Sequence, residues 1–283
     1  SKIDEQYGDW LNVWSELTRN TSQDVAHNKM IGNVEELTKI GGGSTTDDYV
    51  MYVPLKFWFN RNNGLALPLI ALQYHDVRVE FEFANSIGGA ATLEDASLLV
   101  DYIYLDSEER KRFAQASHEY LIEQLQYTGA ESVSGTTGKY RLNFNHPCKE
   151  LVWAVNDANI AQTGVFDDAA DGNGANCVSD ALLQLNGHDR FSSQPGSYFN
   201  YVQTLSHSNT PAVGINVYSF ALNPEEHQPS GTCNFSRIDN AQLNLTFTSN
   251  TNTGLTTPQV HIFATSYNVL RIMSGMGGLA YSN

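Results

Sequence analysis

The feature that most constrains this chain is a strict alternation at the end of the stretch VPLKFWFNRNNGLALPLIALQYHDVRVEFEF, Val53 to Phe83. Val77, Val79, Phe81 and Phe83 alternate there with Arg78, Glu80 and Glu82. A period of two puts one face of a strand on a core and the other in water or in charge pairs. At the near end Phe57 and Phe59 alternate with Lys56, Trp58 and Asn60, which predicts a second strand. Between them lie Asn60-Arg61-Asn62-Asn63-Gly64, residues that tolerate tight turns, and an apolar bridge broken by Pro68. An apolar face opposite charges suits an antiparallel sheet on a core, so the stretch reads as the wall of a β-sandwich.

The chain around it reads as mostly strands. Tyr7, Trp10, Leu11, Trp14 and Leu17 share one helical stripe, so Asp4 to Leu17 is expected to form a short amphipathic helix. Its two tryptophans read as a packing wedge. Thr18 to Asp48 is a long polar excursion, a kind of loop that usually carries contacts. Ala96 to Leu105 (ASLLVDYIYL) predicts a strong strand. Asp106 with Glu109 has the form of a capping box. The segment EERKRFAQASHEYLIEQLQ then spaces Phe113, Tyr120, Leu121 and Leu125 for a helical or partly helical connector. Thr128 to Gly138 is small and polar, and is the best domain boundary in the chain. Further strands are expected around Tyr140, Leu142 and Phe144, around Leu151, Trp153 and Val155, at Ala181 to Asn186 and at Ala212 to Leu222. Leu243, Leu245 and Phe247 predict another, and Pro258 to Ile272 one more, while the tail from Ser274 is too glycine-rich for a helix.

The two halves repeat in order and spacing. Asn60 precedes Phe83 by nearly the interval at which Asn223 precedes Phe247, and LLVDYIYL at Leu98 answers QVHIFATS at Gln259. A basic residue follows each, Lys111 and Arg271. An offset of about 160 residues means duplicated domains rather than a solenoid. The expected fold class is therefore all-β, with two sandwiches in tandem.

Composition narrows the functions open to such a chain. A formal net charge of -15 over 283 residues disfavours direct binding to nucleic acid. No apolar run of about 18 residues is present, so no membrane span is expected. Cys148, Cys177 and Cys233 are odd in number and widely spaced, which reads as free thiols rather than a zinc ribbon or a disulfide framework. Asp167, Asp168 and Asp171 before Gly172 have a calcium-loop flavour, but Ala169 stands at the third position and Val178 at the last, so a polar loop is the reading. Gly275-Met276-Gly277-Gly278 lacks the lysine of a phosphate cradle, and His75 and His118 read as structural. Glu225 and Glu226 are adjacent, so their carboxylates would face apart rather than flank a glycosidic bond. No nucleophile motif appears. The expectation is a protein that is not an enzyme, with no catalytic residue, cofactor or metal assigned.

VPLKFWFNRNNGLALPLIALQYHDVRVEFEF, the connector RFAQASHEYLIEQLQ, SFALNPEEHQPSGTCNFSRIDNAQLNLTFTS and the end NVLRIMSGMGGLAYSN together carry a family resemblance. The chain resembles the major capsid proteins of large icosahedral double-stranded DNA viruses, the phycodnavirus, iridovirus and mimivirus-like groups. The resemblance implies tandem (double) jelly-roll β-sandwiches with short helices in loops and a helical connector. Residues 1–113 would be the C-terminal part of a first jelly roll, 114–138 the connector and 139–283 the second jelly roll. The first roll opens on a helix and is short of strands, so the chain is expected to be the C-terminal portion of a longer protein. It implies a homotrimer that forms a pseudo-hexameric capsomer tiling an icosahedral shell. Implied partners are neighbouring capsomers, minor capsid and penton proteins, and covalently attached glycans. The implied place is the outer capsid of a virion assembled in the host cytoplasm.

Assembly needs contact surfaces, and the long loops are where they are expected. Tyr198, Phe199 and Tyr201 are candidate interface anchors, with packing back on their own barrel as the alternative. Asn60 and Arg61, on the turn before Pro68, are similar candidates. The second functional class open to the chain is a carbohydrate-binding β-sandwich, because jelly rolls also host lectins. Trp58 and Trp153 would be its stacking platforms, although both read better as core, and the exposure of their indoles discriminates.

Overall fold

A computed structural model describes residues 2–34, 37, 48–83, 92–157, 175–209, 211–249, 251, 255 and 257–282. The chain is mainly β, with two antiparallel sheets and short helices. It divides into two compact units. One comprises Glu5–Lys56 and Glu123–Tyr267, the other Ser1–Asp4, Phe57–Ile122 and Asn268–Asn283.

Strands β1 (His118–Tyr127), β2 (Glu131–Ser132), β3 (Thr137–Arg141), β4 (Pro147–Asp157), β5 (Val178–Leu185), β6 (His188–Asp189) and β7 (Gln194–Pro195) come first. After them come β8 (Asn216–Ser219), β9 (Cys233–Asn234), β10 (Ala241–Phe247), β11 (Pro258–Met273) and β12 (Met276–Leu279). One sheet runs β1-β11-β4-β8, with β2 and β12 also on β11 and β9 on β4; the other runs β3-β10-β5-β6, with β7 on β5. Apart from the β5–β6 and β11–β12 hairpins, neighbouring strands are non-consecutive, so each sheet is assembled mainly by long crossings.

The core of the larger unit follows from the period-two pattern. Along β10, Ala241, Leu243, Leu245 and Phe247 are buried and the residues between are not. They meet Leu151, Trp153 and Val155 of β4 and Val260, Ile262 and Ala264 of β11 in one cluster between the sheets. β4 is buried on its other face as well. Val152 and Ala154 pack with Phe263, Ile215 and Val217 under helix α1 (Gly8–Thr18), which a short helix α2 (Asp24–Ile31) follows. Trp10, Val13, Trp14 and Leu17 supply the helix side of that layer, with the Trp10 ring 5.2 Å from Phe263. The two tryptophans are thus the wedge their spacing suggests.

In the smaller unit, Trp58, Ala71, Ile122, Leu270 and Ile272 form a separate core. Helix α4 (Ser107–Gln115) there begins with the expected capping box. Asp106 accepts from the amides of Glu108 and Glu109, and Glu109 accepts from the amide of Asp106.

Several local expectations give way. Phe57 to Asn60 is not a strand: Trp58–Arg61 make one turn of helix, labelled α3, which buries Trp58 and leaves Phe57 and Phe59 stacked 5.3 Å apart. Residues 77–83 and 96–105 are not assigned to a strand, and Val77, Phe81, Phe83, Leu99, Ile103 and Tyr104 are exposed. Among the described residues no strand lies beside them to complete a ladder, so the alternation has no core to face. The connector is helical only as far as Gln115. From His118 it is β1, because Leu125 and Tyr127 pack in one core and Tyr120 and Ile122 in another. A strand apolar on both faces imitates helical spacing, and pairing with distant β11 overrides the local preference. The tail holds a strand, β12, which turns back on β11 through Ser274 and Gly275.

Candidate assembly surface

The segment after β7 begins with a π-helical turn, Tyr198–Val202, and continues as α5, Gln203–His207. A π turn holds one residue more than an α turn, which shifts the angular position of everything after it. Here the shift places Phe199, Asn200 and Thr204 together on the buried side. Phe199 is 0% exposed, its ring 5.0 Å from Trp153. Asn200 donates to the carbonyls of Ile215 (2.7 Å) and Ala212 (3.1 Å), and tethers the turn to the segment leading into β8. Gln203 reinforces it by donating to the Tyr198 hydroxyl at 2.9 Å.

The outward side then carries what the shift displaces. Tyr201 is 47% exposed and Leu205 80%, with Val202 between them. Leu222, also exposed, is brought to the end of this helix by its carbonyl, 2.8 Å from His207 Nδ1. No Asp, Glu, Lys or Arg occurs from Phe191 to Pro224. The result is an apolar face whose own segment carries none of these charges, on a hydrogen-bonded support, with the Glu16 carboxylate reaching the Ala212 amide nearby. Of the three aromatic candidates, Phe199 is therefore a core residue and Tyr198 a half-buried one. Tyr201 is the one of the three that is exposed. Val202 and Leu205 were not legible as surface residues, since the displacement that exposes them is a backbone event, and Leu222 joins them only through the fold.

Asn60 and Arg61 belong to the other compact unit, at the end of α3. Asn60 is exposed and Arg61 half-buried. His75 and His118 hold backbone: the Gly277 amide donates to His75 Nδ1 at 3.1 Å, and His118 Nε2 lies 2.8 Å from the Phe113 carbonyl.

A dense group of charges gathers at β4. Lys149 Nζ donates to Glu123 Oε1 at 2.8 Å and to the Glu226 carbonyl at 3.0 Å, and sits 5.0 Å from the Tyr267 ring centre. His227 Nδ1 is 3.6 Å from the same Glu123 oxygen. Thr265 donates to Glu150 at 3.3 Å. Burial, aided by the Glu150 charge, pushes the Glu225 carboxyl up to about 8, against the pull of Lys149. Lys149, Glu123, Glu150 and Thr265 are bonded into one structural network, whereas Glu225 Oε1 is buried beside it with no hydrogen-bond partner. Among the described residues no three His, Cys, Asp or Glu side chains are grouped to hold a metal ion. Asp167, Asp168 and Asp171 lie outside the described residues.

Comparison with known proteins agrees with this architecture. Residues 109–278 match the family described as large eukaryotic DNA virus major capsid protein, and residues 1–106 match the major capsid protein N-terminus. The chain is 50% identical to the major capsid protein of Pyramimonas orientalis virus, over 100% of its own length and 74% of the relative's. It is 43% identical to the major capsid protein of Paramecium bursaria Chlorella virus 1, over 100% of its own length and 76% of the relative's. A quasi-atomic structure of the capsid of that chlorella virus superposes with a TM-score of 0.73 at 36% identity, covering 99% of this chain and 81% of the other. The jelly-roll fold is shared with that structure. A sandwich core built from the second half, a capped helix at the join and a match along the whole length lead to one conclusion: the chain belongs to the major capsid proteins of large eukaryotic DNA viruses.

Proposed function

We propose that this chain is a shell subunit that trimerises into pseudo-hexameric capsomers, which tile the faces of an icosahedral virion. The observation that carries the reading is the apolar face of Tyr201, Val202, Leu205 and Leu222, in a segment without Asp, Glu, Lys or Arg, on a buried, hydrogen-bonded support. Copies carrying a net charge of -15 repel one another, and that repulsion is weakest where a surface has no charge. An exposed tyrosine within an apolar patch also fits the composition of a contact centre. Tyr198 and Phe199 serve such a contact from behind by fixing the turn, and Asn60 and Arg61 would supply a polar rim elsewhere.

In this reading residues 1–113 contribute to a first jelly roll, 114–138 connect, and 139–283 form the second. The unpaired segments 77–83 and 96–105 are strands of the first roll. The subunit works by burying surface and turns nothing over. Its partners are further copies, minor capsid and penton proteins and covalent glycans, and the particle is assembled in the host cytoplasm. The carbohydrate-binding alternative loses its platforms: Trp58 is 3% exposed and Trp153 0%. Light scattering after size-exclusion chromatography tests the assembly reading. A stable trimer is expected, and a monomer at every protein and salt concentration would overturn it.

A further inference from the structure

Three cysteines spaced far apart in the sequence look unrelated, yet two of them are opposite one another in the fold. β4 and β9 pair antiparallel with Cys148 directly across from Cys233 and Pro147 across from Asn234. The Phe235 amide donates to the His146 carbonyl at 3.0 Å, one of the two bonds of a hydrogen-bonded pair, while the His146 amide turns to Ser236 Oγ at 2.8 Å. Two residues along the ladder the same type of pair recurs, which puts the Cys148 and Cys233 Cα atoms about 5.5 Å apart. That distance lies inside the range a disulfide spans. Both side chains point to the same side: Cys148 belongs to the core between the sheets, and Cys233 packs against it. Both are free thiols, one buried and one half-buried.

We propose that Cys148 and Cys233 are an oxidisable pair, a modification site at which a disulfide of the glutathione class installs an intrachain cross-link between β4 and β9. Cys233 is the thiol a reagent can reach. Burial raises its proton affinity, but the Arg190 guanidinium opposes the rise, whereas burial and the nearby Glu150 hold the Cys148 thiol far above its ordinary value. The Cys233 thiolate attacks the external disulfide, forming a mixed disulfide and releasing one glutathione thiolate. Cys148 then loses its proton, gives up its hydrogen bond to the Glu150 carbonyl (3.1 Å), and attacks the Cys233 sulfur. The second glutathione leaves. Two protein thiols are oxidised, and the two sulfurs of the reagent are reduced. Directly opposed strand residues hold their Cβ atoms slightly wider than a relaxed disulfide prefers, so the bond is strained and readily reduced again.

The effect is local and mechanical. β9 touches β4 through two residue pairs only, and it ends the excursion that begins after β8. A bond there fastens that excursion to the central strand of the sheet.

The test uses the full chain, treated with oxidised glutathione or with a reductant, then denatured and alkylated. Oxidation is expected to remove about 2 Da from the intact mass. It should leave only Cys177 alkylated and yield one cross-linked peptide containing Cys148 and Cys233. The bridge should raise the melting temperature by roughly 3–8 °C, reversibly. Cys177→Ser should behave like the parent, and Cys233→Ser should lose both the bridge and the thermal response. Three alkylated thiols after oxidation, a glutathione adduct that persists on Cys233 while Cys148 stays free, or a bridge that includes Cys177 would each overturn the proposal. The peptide map of the parent chain decides the matter even if a variant does not fold.

Discussion

An ammonium group taken wholly out of water persists only when its partners replace the solvent. Lys149, at 0% exposure, has a carboxylate, a carbonyl and an aromatic face around it. Removing the lysine therefore costs more than the pair contributes, because it strands Glu123 in a dry site. Lys149→Met should lower stability by about 3–5 kcal/mol, and Glu123→Leu placed on top of it should recover most of the loss. Urea midpoints of the parent, single and double variants check this. Glu225 gives the same neighbourhood a pH dependence. Its carboxyl titrates near 4.5 when unfolded and is pushed up to about 8 when folded, so the folded state holds the proton more tightly. The stabilisation is complete below about 4.5 and is lost as pH rises to about 8. The groups facing it are Glu150 and Lys149 of β4 and the Asn209 amide. Glu225→Gln should flatten stability against pH between 5 and about 8, read as melting temperature across that window. A variant as steep as the parent would show that another group sets the slope. None of this was legible beforehand. Glu225-Glu226-His227 reads as a polar turn, and only the fold brings Lys149 and Glu150 beneath it.

Elements were legible where their cause is local. The capping box at Asp106 and Glu109 rests on residues three apart, and the structure contains both of its hydrogen bonds. Asp106→Ala should cost about 1 kcal/mol in the helix it starts. Amide exchange over residues 107–112 should then speed up about fivefold, with exchange in β10 unchanged. β10 was equally plain, because its outer face meets water and its inner face a core. β1 was obscured because both its faces are covered, and the π turn at Tyr198–Val202 because no residue type announces one. A missed element can still carry a sequence signal. Asn186-Gly187 joins β5 to β6 with both residues at positive φ, the turn for which that dipeptide is suited. Asn186 Oδ1 also accepts from the amides of Asp239 and Asn240, which ties the hairpin to the lead into β10. Gly275, at φ +80, follows Ser274 at φ +53 in the β11–β12 turn, and an added Cβ would lie 2.5 Å from the Tyr74 ring. Gly275→Ala should thus destabilise the smaller unit by about 1–3 kcal/mol, read as a lower urea midpoint.

For the molecule as a whole, the unequal coverage of its strands and of its strand-patterned segments is the informative fact. Sandwich strands in the larger unit are paired and buried, whereas 77–83 and 96–105 carry an equally clear strand pattern and are exposed, Tyr104 to 91%. Extended backbone without ladder partners leaves its amides to water, and exposed valine, phenylalanine and leucine along it favour any neighbour that can cover them. Both tendencies point to closure by further chain, through strand pairing or through packing of copies. Hydrogen exchange separates covered from uncovered states directly. In the isolated chain, amides of 77–83 and 96–105 should exchange at rates close to those of an unfolded peptide, while those of β4 and β10 stay protected. In the intact shell the same two segments should become protected by several orders of magnitude, since opening them would then require breaking a ladder and exposing an apolar face at once. Val79→Asp tests the second half of that reasoning without touching the sandwich. It should leave the melting of the larger unit unchanged and yet reduce the yield of assembled shells, because it puts a charge where an apolar face must be buried. Fast exchange of both segments in the assembled shell, or full assembly by Val79→Asp, would mean that these segments stay in water and that the shell closes through the sandwich alone.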